Sequence, residues 1–295
     1  METAAGPLTS SRHTVLSLIG AAADHLRTRG FDEARLHVEL LLAHILNLTR
    51  LGLYLHFDRP LTAQELERFR TLFRRRLTHE PLQYILGETE FMGLRLEVNG
   101  SVLIPRPETE LLVELAIACS AQRNHLPMDV LDACTGSGNI AIALARHLPA
   151  AAISALDVSE EALRVAAANA ERLAPGRVEL TAADLFTEFL PGRMFDLIVS
   201  NPPYVPAGEL GGLEPEVRDF EPQMATTDGG DGLRFHRRLA ELGAKRIRPG
   251  GKLIVEVGAG QAGTVAALFA AAGLNAVEIT PDYSGIPRIV EARTS

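Results

Sequence analysis

Cysteine is scarce: Cys119 and Cys134 are the two in 295 residues. They form neither a disulfide framework nor a metal-binding spacing. Histidine occurs nine times, yet never as His-x-x-x-His or His-x-His, so no metal site is expected. A Gly-x-Ser-x-Gly elbow is missing too, because Thr135 takes the first glycine's place before Ser137, which excludes the usual hydrolase nucleophile. No apolar run approaches the roughly 20 residues that cross a bilayer, and Met1 to Ser11 lack the apolar core of a secretory leader. A cytoplasmic protein without membrane contact is expected. Positive charge is also short, with a formal net charge of −8. Residues 1–85 hold 11 basic and 9 acidic side chains, against 18 and 28 in the remainder. The acidic larger part argues against bulk capture of a nucleic-acid backbone, which rests on phosphate neutralisation.

What is present is an ordinary globular composition, 46% apolar, and a length that accommodates one large domain and one small one. Residues 12–80 carry helical spacing. Val15, Leu18, Ile19, Ala22 and Leu26 form one face, which Gly30 ends. Asp32 is placed to cap a second helix with Leu36, Leu40, Leu41 and Ile45 on one face. Thr62 and Glu65 form a capping box for a third, with Leu66, Phe69, Phe73 and Leu77 inward. The run Arg74 to Arg76 reads as a solvated outer face.

Phe91 to Val98 alternates, and Asn99-Gly100 predicts a hairpin turn into Val102 to Ile104. Pro107 and two acids then fit a helix's first turn, and Arg106 is expected to pair with a carboxylate nearby. From residue 129 onward strands at 130–134, 153–156, 178–181, 195–199 and 252–257 alternate with helices, which predicts a mainly parallel sheet covered on both faces. The last two strands, 276–280 and 288–292, are joined by too short a link for a crossover helix, so they are expected to be antiparallel neighbours.

Three strand ends carry the chemistry. Asp132-Ala-Cys134-Thr135-Gly136-Ser137-Gly138 ends the first strand and opens a helix, where glycine lets a ligand approach and the helix start favours an anionic group. Asp157 ends the second strand 19 positions past Gly138, the place of an acid that holds ribose hydroxyls. Gly136-x-Gly138-x-x-Ala141 also satisfies a relaxed dinucleotide fingerprint, so a nicotinamide enzyme is a rival reading. Against it stand Asp132, suited to a cationic amino group, and Asp184 at the third strand end, where an adenine amino group is met. The third is Asn201-Pro202-Pro203-Tyr204 after the fourth strand. There Asn201 and the Pro202 carbonyl offer two acceptors to a planar –NH2 group, and Tyr204 offers a flat face. The –NH2 group is an adenine, a cytosine or a carboxamide. S-adenosylmethionine suits the whole set better than a nicotinamide.

These stretches, with Glu80 to Gly87, Leu103-Ile-Pro-Arg-Pro-Glu-Thr-Glu110, Phe220-Glu-Pro222, Asp228 to Leu233 and Asp282 to Gly285 with Arg288, resemble the release factor glutamine N5-methyltransferases of the class I S-adenosylmethionine-dependent methyltransferases. The resemblance covers nearly the whole chain. It implies a seven-stranded Rossmann-like sheet with its last strands antiparallel (107–295), a β-hairpin linker (86–106) and a small helical substrate-recognition domain (1–85). It implies a cofactor held by Asp132, Cys134 to Gly138, Asp157, Asp184, Leu185 and Asn201, and a substrate glutamine held by Asn201, Pro202, Pro203 and Tyr204. In that family the glutamine lies in a Gly-Gly-Gln loop of a peptide chain release factor; a monomer with that protein partner, and without nucleic acid, is the expectation. Cys134 stands where the family usually has glycine, so its turn is expected to have negative φ. Leu185 replaces an aromatic often found beside the adenine. A ribosomal-protein glutamine methyltransferase, an adenine-N6 nucleic-acid methyltransferase and a non-catalytic cofactor-binding module remain alternatives.

Overall fold

The computed structural model describes residues 13–122, 126–187 and 189–295; Met1 to Ser11 lie outside them. The chain divides into two units at Leu86 and Gly87.

The first unit is helical: α1 Val15–Arg27, α2 Ala34–Leu46, α3 Arg50–Leu55, α4 Ala63–Leu77 and α5 Leu82–Leu86. Capping boxes Thr14/Ser17 and Thr62/Glu65 start α1 and α4 by satisfying backbone N–H groups that a first turn leaves free. Val15, Leu18, Ile19, Leu26, Val38, Leu41, Leu42, Ile45, Phe69 and Phe73 share one buried core. Two expectations fail here. Asp32 does not cap α2: the position before its first residue belongs to Glu33, which is left-handed (φ 49°) and makes no capping bond. The arginine run is not one solvated face either, since consecutive helical residues turn by about 100° each. Arg74 is exposed, but Arg75 pairs with Glu80 (Nε to Oε2, 2.8 Å). Arg76 is buried, 4.5 Å over the Phe31 ring, and donates to the Glu80 carbonyl.

The second unit opens with the hairpin β1 Glu88–Phe91 and β2 Leu94–Glu97, in which Phe91 faces Leu94. Its turn is Met92-Gly93, both at positive φ (50° and 69°), the two-residue form that matches strand twist. Asn99-Gly100 is therefore not the hairpin turn. Its side chain accepts from the Ser101 N–H in a local turn instead, and Val102 to Ile104 form no strand. The Glu110 carboxylate takes the Met92 N–H at 2.6 Å, holding the turn where it is.

Next come α6 Glu108–Gln122, β3 Asp129–Ala133, α7 Asn139–His147, β4 Ala152–Asp157, α8 Glu160–Leu173, β5 Val178–Ala182 and β6 Phe195–Ser200. Short helices α9 Pro215–Phe220 and α10 Gln223–Thr226 precede α11 Arg234–Arg246, β7 Ile247–Glu256, α12 Ala262–Ala271, β8 Asn275–Pro281 and β9 Pro287–Arg293. The sheet order is β5-β4-β3-β6-β7-β9-β8, with β5 to β7 parallel and β9 antiparallel to both β7 and β8. Strand residues alternate between two cores. Val130, Leu197, Val199 and Ile254 pack with α6 and α7, while Leu131, Ile198, Leu253 and Val255 pack with α11 and α12. The order reverses between β3 and β6, and such a switch point leaves a crevice at the strands' carboxyl ends. No helix among the described residues is long and apolar enough to cross a membrane.

Candidate active site

A cavity lies over that switch point. Its walls take Cys134, Thr135, Gly136 and Ser137 from the turn after β3, Asp157 from β4, Asp184 and Leu185 after β5, and Asn201 and Pro203 after β6. Asp132, Gly138, Pro202 and Tyr204 are not among the lining residues.

The turn after β3 is tightly tied. Thr135 donates its hydroxyl to Asp132 (2.6 Å), whose same oxygen accepts the Ala141 N–H (3.1 Å). The Gly136 N–H reaches Asp157 Oδ2 (2.9 Å), and the Ser159 N–H reaches its Oδ1 (3.0 Å). Cys134 corrects the expectation: its φ is +63°, the left-handed region, where a Cβ costs on the order of 1 kcal/mol. Glycine suits that conformation best, and here the ties through Thr135 and Gly136 hold a cysteine in it. Gly138 (φ 81°) serves packing, since a Cβ there would stand 3.0 Å from Ile142 and 3.2 Å from Ala166.

Burial dominates the electrostatics. It pushes Asp132 up to about 7, aided by the Asp157 charge and opposed by the Thr135 and Ala141 bonds. Asp157 is raised as well, with its backbone N–H bonds opposing. The Cys134 thiol is driven far up by burial and by the Asp157 and Asp132 carboxylates, so it stays protonated.

Asp184 Oδ1 accepts the Phe186 N–H (2.9 Å), closing a tight turn after β5. Leu185 is buried. The aromatic wall comes instead from Phe186 and Phe235, set edge to face at 5.3 Å, with Arg234 stacked 4.2 Å over Phe186. None of these three was expected from the sequence.

Asn201 follows β6, whose end is pinned when Ser200 donates to the Ala133 carbonyl (2.7 Å). Asn201 Nδ2 donates to Thr109 Oγ1 (3.1 Å), and Thr109 donates to Glu256 Oε2 (2.6 Å). Tyr204 donates to the other Glu256 oxygen (3.2 Å), and its carbonyl accepts from Gln261 (2.8 Å). Tyr204 is thus held from behind and does not face the cavity. Pro202 and Pro203 are both buried.

Three side-chain atoms in this region are buried without a hydrogen-bond partner among the described residues: Asp132 Oδ1, Ser137 Oγ and Asn201 Oδ1. Buried polar atoms are normally satisfied, and two of these three residues, Ser137 and Asn201, line the cavity. Arg106 lines the cavity and pairs with buried Glu221 at 2.7 and 2.8 Å, the carboxylate partner that was expected. Asp228 accepts the N–H groups of Gly230, Gly232 and Arg234, which ties its glycine-rich loop to the start of α11.

Residues 17–87 match the family model described as PrmC N-terminal domain, and residues 109–211 match that described as methyltransferase small domain. The release factor glutamine methyltransferase of Geobacter sulfurreducens is 44% identical over 280 residues, covering 95% of this chain and 96% of that protein. The enzyme of the same name from Cereibacter sphaeroides is 43% identical over 274 residues, covering 92% and 96%. Among solved structures, a methyltransferase from Pyrococcus furiosus shares the fold at a TM-score of 0.50, with 17% identity over 78% of this chain and 98% of that one. Matches this nearly end to end, on a switch-point sheet carrying Asn-Pro-Pro-Tyr, make the chain a member of the release factor glutamine methyltransferase family.

Proposed function

We propose that the chain transfers a methyl group from S-adenosylmethionine to the side-chain amide nitrogen (N5) of the glutamine in the Gly-Gly-Gln loop of a peptide chain release factor. The observation that carries this reading is the Asn201 amide: its Nδ2 is committed to Thr109, while its buried Oδ1 has no partner among the described residues. That oxygen is an acceptor kept for a substrate N–H.

The residues present suit the cofactor. The Cys134 to Gly138 turn and Ser137 Oγ would take its amino-acid end, Asp157 its ribose, and Asp184, Leu185 and the Phe186 wall its adenine. When bound there, S-adenosylmethionine supplies an electrophilic methyl whose bond to sulfur breaks as the carbon–nitrogen bond of the product forms.

The protein's own work is set by the substrate. An amide nitrogen is a weak nucleophile because its lone pair is delocalised into the carbonyl. Asn201 Oδ1 and the Pro202 carbonyl accept its two N–H bonds and turn the lone pair toward the methyl, which is catalysis by orientation. The same acceptors favour the positive charge that develops on nitrogen, and one N–H proton is lost after transfer to give the neutral N-methyl amide, with no strong general base required. Tyr204 acts from behind, holding the loop through Glu256 and Gln261.

Mass spectrometry of an unmethylated release factor incubated with the enzyme and S-adenosylmethionine tests the proposal. One added methyl mapped to the Gly-Gly-Gln glutamine is expected. It should be absent with a glutamine-to-alanine substrate, and Asn201→Ala should lower it at least 100-fold. Methyl on a ribosomal protein or on adenine-rich DNA instead would sink it.

A further inference from the structure

The Leu103 to Glu110 stretch brings three side chains to work at a distance: Arg106 to Glu221, Glu110 to the Met92 N–H, and Thr109 to both Asn201 and Glu256. The first two brace the fold. Thr109 does something different, because it joins Asn201 to Glu256, a buried carboxylate that is not among the residues lining the cavity.

A carboxamide is nearly symmetric in shape, so packing alone does not decide which end of Asn201 faces the substrate. Hydrogen-bond direction does. A hydroxyl has one proton. With the ionised Glu256 carboxylate 2.6 Å away, that proton is spent on Oε2, and Thr109 Oγ1 turns a lone pair to Asn201. A lone pair bonds with the –NH2 end of the amide and repels the carbonyl end. Tyr204 donates to the remaining Glu256 oxygen, so Glu256 accepts at both ends, and the Asn201 carbonyl is left for the substrate.

We infer that Thr109 and Glu256 are positioning residues that fix the polarity of the Asn201 amide, making it an acceptor toward the substrate rather than a donor. The inference rests on the proposed glutamine methylation and extends it. It assigns the reaction's directionality to a one-way chain running Asn201 to Thr109 to Glu256. Asn201 flipped would present N–H groups to the substrate's N–H groups, and the substrate amide would lose its alignment.

The test uses full-length enzyme, unmethylated release factor and S-adenosylmethionine, with cofactor affinity read by calorimetry. Thr109→Val keeps the side-chain shape and removes the hydroxyl. It should lower kcat about 100-fold while S-adenosylmethionine affinity stays within about threefold. Thr109→Ser should keep kcat within about threefold of wild type. Should Thr109→Val fail to fold, as read by circular dichroism, or lose cofactor affinity by more than about threefold, the comparison of Thr109→Ser with Glu256→Gln decides. Glutamine at 256 can donate to Thr109 and reverse the chain, so it should lose at least tenfold in kcat where serine at 109 does not. Wild-type kcat in Thr109→Val, or equal kcat in Thr109→Ser and Glu256→Gln, overturns the inference while leaving the methylation reading intact. A wild-type enzyme that does not methylate the release factor overturns both.

Discussion

A Cβ on Gly232 would lie 2.2 Å from the carbonyl oxygen of Tyr204. No side chain fits there, and φ at Gly232 is +78°, so the glycine is required twice over. Gly232→Ala must displace the backbone of the Asn-Pro-Pro-Tyr loop or its own. It should cost about 3 kcal/mol in urea unfolding and at least tenfold in kcat. Gly229, also at positive φ (74°) but with nothing within 4 Å of its Cβ position, is the control: Gly229→Ala should cost only about 1 kcal/mol.

Cys134 supplies a cleaner measure of left-handed strain. Cys134→Gly and Cys134→Ala both delete the sulfur and differ only in the Cβ. At φ +63° the glycine variant should be the more stable by about 1 kcal/mol, the reverse of the order found in extended or helical segments. Greater stability in the alanine variant would mean that the turn has negative φ.

The pairing of Arg106 with Glu221 predicts an asymmetry. Burial raises the Glu221 carboxyl and Arg106 opposes the rise. Arg106→Ala strands a carboxylate that is largely out of water and should cost about 3 kcal/mol. Arg106→Ala combined with Glu221→Ala should recover part of that loss, since no unpaired charge remains. A double variant less stable than Arg106→Ala would contradict it.

Glu256 makes turnover and stability move oppositely with pH. Burial pushes it up to about 7, against the Thr109 and Tyr204 bonds and the Arg288 charge, with Glu108 adding to the rise. His236 bonds its backbone carbonyl, through Nε2. Ionised Glu256 accepts at both oxygens, so kcat should rise as pH climbs through about 7 and flatten in Glu256→Gln. For folding the sign reverses. A carboxyl raised on folding contributes stability that is fully present below its unfolded value of 4.5 and is lost as pH rises through about 7. Relative to Glu256→Gln, the wild type should therefore lose stability between about pH 4.5 and 7, measured by urea titration at each pH.

What was readable from the chain alone was whatever local pattern dictates. Apolar or alternating runs located all seven strands of the sheet, and the prolines after the fourth placed Asn201 at a strand end. What escaped depends on partners remote in sequence. Thr109 and Glu256 lie 147 positions apart, and no periodicity announces that they meet. Asn99-Gly100 carries the stronger turn signal, yet Met92-Gly93 forms the hairpin because the Glu110 carboxylate waits for its N–H. Asn169 was overlooked for the same reason: buried in α8, its amide binds both backbone groups of Glu97 and the Ser137 carbonyl, joining the hairpin to the turn after β3.

The sheet order has a consequence for biosynthesis. Strand β8 is made before β9, yet among the described residues its only ladder is with β9, and β9 is also the partner that closes the free edge of β7. A chain growing on the ribosome must therefore carry β7 with an open edge and β8 with no partner at all until β9 emerges. A single insertion then completes two ladders at once. Until that moment the nascent chain exposes a sticky edge, which leaves the interval between the emergence of β7 and of β9 open to misassociation.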